Sequence, residues 1–159
     1  MIRTLPLLLL FTACQSHGSW QYQNIPAKEI GHCTRLLYPS KDPAGGIDLE
    51  FIQGGENLAT YLQVHFGPIQ DSEEDPQKAK LLILSSGKKT TIFVDFHEGN
   101  QRLRLSSSQQ TLLLSLLEKG EPITLRLDGY EEMIDPTSFE KLYKKLESPP
   151  YRLPFHLPI

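Results

Sequence analysis

Cysteine is scarce in this chain. Of 159 residues only Cys14 and Cys33 carry a thiol, so at most one intramolecular disulfide can form and a densely cross-linked small fold is excluded. Basic side chains do not outnumber acidic ones: 16 Lys and Arg stand against 19 Asp and Glu, a formal charge of −3. Without a basic surplus there is little to neutralise phosphates or to hold a face flat on anionic lipid, so nucleic acid is not an expected partner. No apolar run approaches the roughly 20 residues that a spanning helix needs. Reaction signatures are missing as well, with no G-x-S-x-G elbow and no H-E-x-x-H. Ser85-Ser-Gly-Lys-Lys-Thr90 has the Gly-Lys of a phosphate loop. However, Leu82 stands at the first glycine position and Lys89 where Ser or Thr belongs. It reads as a hairpin turn, and no cofactor is expected.

What the chain does have begins at its first residue. Arg3 supplies a positive start, residues 5–11 an apolar run, and Thr12-Ala13 small residues that lead into Cys14. This order fits a secretion signal. A cysteine directly after the small residues resembles the lipobox of bacterial lipoproteins. The resemblance implies cleavage before Cys14, lipid on its sulfur and on the new amino terminus, and loss of residues 1–13. Gln15, in place of Asp, implies by the same resemblance the outer rather than the inner membrane, on its periplasmic face. An ordinary cleaved signal and a buried N-terminal element are the alternatives. Acylation of Cys14 would leave Cys33 without an intramolecular partner, whereas a free Cys14 would allow a Cys14–Cys33 bridge.

The remainder has the length of one domain. Residues 14–30 are polar and without clear period, which reads as a lipidated N-terminus and tether. Trp20 and Tyr22 interrupt it, and such aromatics are expected to dock on the domain or near the lipid surface. Residues 31–148 form the globular body. Residues 31–38, 47–53, 58–66, 81–84, 90–96, 101–105 and 122–128 alternate or run apolar between Gly-rich or polar links, as a meander does. Ser107 and Gln110 offer a capping box for a Leu-rich helix that stops at Gly120. Asp135-Pro136 would start a second helix with Phe139, Leu142, Tyr143 and Leu146 on one face. The expected class is mainly β (α+β): an antiparallel sheet or two-layer β-sandwich of about seven strands, with two helices in the C-terminal half. Residues 149–159 hold four prolines among apolar side chains, including Tyr151 and Phe155. This tail is expected to strap across the domain or to serve as a partner-binding peptide.

The order of landmarks resembles the invasion-associated locus B family of exported β-sandwich proteins. The matching features are Trp20, Cys33 before a hydrophobic stretch, and the Leu-rich helix ending in Lys119-Gly120. The strand Ile123–Leu127 and Ser138-Phe139 at the opening of a final helix complete them. The resemblance implies a sandwich fold and an envelope role without enzymatic activity. The family tends to use disulfides, and here only Cys33 remains inside the domain.

For function, these features point to a lipid-anchored envelope protein with a binding or scaffolding role. Membrane contact comes through the lipid on Cys14. Trp20, Tyr22, Tyr151 and Phe155 are the candidate contacts for an envelope protein or peptide partner. The competing class is an envelope enzyme. Cys33 could act as a thiol nucleophile with a distant histidine, or Asp95 and His97 could meet His65 around a metal. Asp48, Glu50, Asp95 and Asp128 are available to pair with Arg102, Arg104 and Arg126 across strands, a solvated face that helps set register.

Overall fold

Residues 17–27 and 31–148 are described by a computed structural model. The elements in chain order are β1 (Gln21–Ala27), β2 (Gly31–Tyr38), β3 (Asp48–Gly54), β4 (Asn57–Gln63), β5 (Lys78–Ser85), β6 (Lys88–Glu98), β7 (Arg102–Arg104), α1 (Ser107–Leu117), β8 (Ile123–Leu127), β9 (Tyr130–Ile134) and α2 (Phe139–Glu147). The fold is mainly β, with both helices in the C-terminal half. The nine strands among the described residues join one open antiparallel sheet in the order β1-β2-β3-β4-β7-β6-β5-β8-β9.

Of the two architectures expected, the antiparallel sheet is the one observed, and it is a single sheet rather than two stacked layers. The join between β4 and β7 keeps the ladder continuous where a sandwich would break it. Register partners share a face, and the inward rows are largely apolar. Tyr22, Leu36, Phe51 and Thr60 form one such row, and Leu49, Leu62, Leu103 and Phe96 another. A third is Ile92, Leu81, Leu127 and Tyr130. Strand twist curls the sheet until its two ends approach each other. The Tyr38 hydroxyl on β2 donates to the Met133 carbonyl at 3.2 Å and accepts from the Asp135 amide at 3.1 Å. The Glu131 amide donates to the Gly45 carbonyl. One rolled sheet thereby encloses a core that two sheets would otherwise sandwich.

The strand count exceeds the expected seven because two strands are disguised. Residues 21–27, expected as tether, pair along their length with β2. Trp20 just before them is 7% exposed and lies in the core, with ring centroids 5.1 Å from Tyr38, 6.1 Å from Phe51 and 4.8 Å from Phe139. Its Nε1–H donates to the Asp135 carbonyl at 2.8 Å. β9 is hidden because Glu132 occupies an inward position between Tyr130 and Ile134, which breaks the apolar alternation.

Both helices begin where local chemistry and sheet contacts agree. The cap of α1 is Ser106, not Ser107: its hydroxyl accepts from the Gln109 amide while the Gln109 side chain accepts from the Ser106 amide. Three serines followed by two glutamines allow several capping registers, and the sheet selects one. Gln109 donates to the Phe93 carbonyl and Gln110 accepts from the Thr60 hydroxyl. Leu113 and Leu117 enter the core, and Gly120 follows at φ +72°. α2 starts later than expected, at Phe139 after Ser138. Asp135 and Pro136 instead make a turn, in which Asp135 accepts from the Thr137 amide. The Asp135 backbone is already held by Trp20 and Tyr38. Phe139, Tyr143 and Leu146 are the buried stripe of α2. Burial and nearby Glu147 push the Tyr143 phenol up to about 12.

The seam between the two ends of the sheet carries a buried acid. Glu132 is 4% exposed, and its carboxylate accepts from the Lys41 amide at 3.2 Å. Gly46 lies so close that a β-carbon there would sit 2.6 Å from the Glu132 Oε2. Burial raises the carboxyl above its ordinary value, and the Lys41 amide opposes the shift. The folded state therefore holds this proton more tightly than the unfolded chain. Its contribution to stability is present at acid pH and is lost as pH rises through the folded value. Glu132→Gln is expected to raise the melting temperature by a few degrees at pH 7 and to make no difference near pH 4. Calorimetry at the two pH values checks this, and a loss at pH 7 would show that hydrogen bonds to the ion outweigh its burial.

Candidate functional site

The outward face of β1–β4, β7 and β6 brings together side chains that no single strand holds. Glu50 on β3 is the centre, 6% exposed although it points away from the core. A carboxylate so enclosed must be paired. Arg35 on β2 reaches one oxygen through its Nε, and Arg102 on β7 donates to the other at 2.8 Å. To do so Arg102 crosses β4, and its guanidinium lies 4.3 Å from the centroid of the Tyr61 ring. The same ring meets His97 in a tilted contact, with centroids 5.0 Å apart. Register explains the assembly: Glu50 is opposite Tyr61, and Tyr61 is opposite Arg104. A bulge between Phe96 and Glu98 re-aims β6 at the point where His97 sits.

Beside this bridge lies a cleft of about 240 Å³ whose walls include His17, Gln23, Arg35, Leu37, Asp48 and His65. Asp48 accepts from the Ser40 amide at 2.8 Å, and its other oxygen lies 2.8 Å from the His65 Nε2. Ile25 on β1 and Phe66 just beyond β4 are 37% and 73% exposed. Ile25 lies on the outward face, opposite Cys33. A second hollow, about 320 Å³, lies over β5 and β8 between Lys80, Lys89, Arg126 and Tyr130. Its charges are exposed and pair locally, Arg126 with Glu131 and Lys80 with Glu74.

The residues singled out from the sequence fall in different places. Trp20 is core, so it offers no surface to a partner; its ring and its N–H are both occupied. Tyr22 is half-buried on the inward row. Cys14, Tyr151 and Phe155 lie outside the described residues. His65, Asp95 and His97 do not converge. His65 takes Asp48, His97 lies tilted against Tyr61, and Asp95 stands opposite Arg104 with the Lys78 Nζ 3.8 Å away. Among the described residues no group of three His, Cys, Asp or Glu could hold a metal ion. Cys33 is half-buried and free, opposite Ile25 and Gly54. Sequence reasoning placed Glu50 and Arg102 on a wet face but missed Arg35 and Tyr61. Their roles depend on cross-strand neighbours, which the alternation of one strand does not reveal. No family model, curated protein or solved structure matches the chain, so its own geometry carries the functional reading.

Proposed function

We propose that this chain is a lipid-anchored protein of a bacterial cell envelope, held through Cys14 to the periplasmic face of the outer membrane. Its domain binds a protein or peptide partner across the outward face of β1–β4 and β7. The Arg35–Glu50–Arg102 bridge laid over Tyr61 carries this reading. Arg and Tyr are side chains on which protein interfaces concentrate their binding energy. The buried carboxylate holds both guanidinium groups in place, so little side-chain freedom is lost when a partner arrives. Ile25 supplies an exposed apolar anchor on β1. The order of residues 1–14 supports the anchor.

Two measurements test the halves separately. Growth with a clickable fatty acid is expected to label the wild type and not Cys14→Ala; label on both, or on neither, removes the anchor. Photocrosslinking in cells is expected to trap a partner from probes at Gln23 and Gln63, but not from one at Lys89, beside the hollow over β5 and β8. Equal trapping at all three, or none, removes the proposed face.

A further inference from the structure

We propose that the cleft beside the bridge is a carboxylate-binding site, and that the partner enters it with an acidic side chain. The floor of the cleft is apolar, since Leu37 and Pro39 line it and both are buried. The charged or titratable groups on its walls are His17 before β1, Arg35 on β2, Asp48 on β3 and His65 beyond β4. Its volume of about 240 Å³ matches about eight waters of the liquid, which is room for one side chain.

One backbone residue positions three of these groups. Ser40 is 3% exposed. Its amide donates to Asp48 at 2.8 Å, and the second Asp48 oxygen holds the His65 Nε2. Its carbonyl accepts from the His17 Nδ1 at 3.2 Å. The Gly18 amide donates to the Pro39 carbonyl at 2.9 Å, which pins the segment that bears His17. Walls held in this way lose little freedom when a ligand arrives.

The hydrogen-bonding capacity left over is that of an anion site. Arg35 has five N–H donors in a planar fork. Its Nε faces Glu50, and one terminal nitrogen meets the Gln23 Oε1 at a long 3.5 Å. The terminal N–H groups thus remain for a planar carboxylate, which suits a two-point contact. Because the Ser40 carbonyl and Asp48 can only accept, His17 carries its proton on Nδ1 and His65 on Nε2. The second nitrogen of each ring accepts when the ring is neutral and donates once it is protonated. A bound anion favours the charged ring. The site therefore takes up protons as it fills, and binds more tightly as pH falls from about 8 to about 6. Asp48 does not compete for these donors, since both its oxygens already accept. It does limit the surplus of positive charge, which favours a singly charged carboxylate over a phosphate dianion. The inference rests on the proposed face for the source of the carboxylate, but not for the site itself.

Titration of the purified full chain with N-acetyl-glutamate N-methylamide and with its glutamine counterpart, followed by nuclear magnetic resonance, tests the site. The glutamate probe is expected to move the Arg35 Nε–H and the Gln23 and Ser40 amides, and to bind about tenfold more tightly than the glutamine probe. Arg35→Lys keeps a charge beside Glu50 but removes the fork, and should weaken the glutamate probe by about tenfold. His17→Asn combined with His65→Asn should keep the preference for glutamate and abolish its pH dependence. Equal binding of the two probes, or binding of neither, overturns the proposal in the wild type without recourse to a variant. Tighter binding of inorganic phosphate than of the glutamate probe also overturns it, and assigns the cleft to phosphate groups. Cellular crosslinking identifies the source. Trapping from Gln23 that falls with Arg35→Lys supports the partner's side chain; unchanged trapping overturns that source in favour of a free small acid. Glutamate binding with no trapping in the wild type removes the proposed face and keeps the site. Trapping without glutamate binding removes the site and keeps the face.

Discussion

Trp20→Ala is expected to destabilise the domain by about 4 kcal/mol, because removing a large aromatic from a packed interior costs its transfer energy and leaves a cavity. Three rings, from Tyr38, Phe51 and Phe139, would lose their neighbour. The Asp135 carbonyl would also lose the indole N–H that satisfies it. Because Asp135 lies between β9 and α2, one substitution loosens both the start of β1 and the approach to the helix. For a domain of this size the fall in melting temperature is on the order of 10 °C. Trp20→Phe should recover part of the loss by refilling the space without the hydrogen bond. If Trp20→Ala melts with the wild type, the segment before β1 is not part of the cooperative core.

Glu50→Ala is the second large effect, at about 3 kcal/mol, because it leaves two partly enclosed guanidinium groups without their counter-charge. The side chains of Arg35 and Arg102 are 28% and 23% exposed, against 8% for Glu50. Solvent thus relieves some of the penalty, and the figure sits at the lower end for a broken buried pair. Replacing all three groups, as Arg35→Met, Glu50→Leu and Arg102→Met, is expected to return stability close to wild type, since an apolar set of similar volume avoids the desolvation cost. Urea denaturation of the two variants separates the cases. A triple variant no more stable than Glu50→Ala would show that the bridge contributes more than the cost of its own burial. The triple variant should also lose crosslinking from Gln23 and Gln63, which ties the bridge to the proposed face without requiring the fold to fail.

Much of the sheet was legible because one wet face and one dry face impose a period of two. β3, β4, β6 and β8 show it plainly, with Leu49 and Phe51, Leu62, Val94, and Ile123, Leu125 and Leu127 turned inward. The strands that escaped had reasons to. Among the described residues β1 ends the sheet, and its Gln, Tyr, Asn and Pro show little apolar periodicity, while β9 places Glu132 where the pattern calls for an apolar side chain. Trp20 was conspicuous in sequence, but its burial depends on Phe139, more than a hundred residues later.

From the residues alone came the class of fold, the antiparallel pairing and the two helical segments, because backbone periodicity, turn chemistry and caps are properties of neighbours in the chain. Whether the strands form one layer or two was decided only in three dimensions, since the β4–β7 ladder and the contact of β2 with the end of β9 join segments that share no local signal. The same holds for the outward site. Arg35, Glu50, Tyr61 and Arg102 come from four strands, and strand order and register, not any spacing along the chain, turn four ordinary polar positions into one bridge.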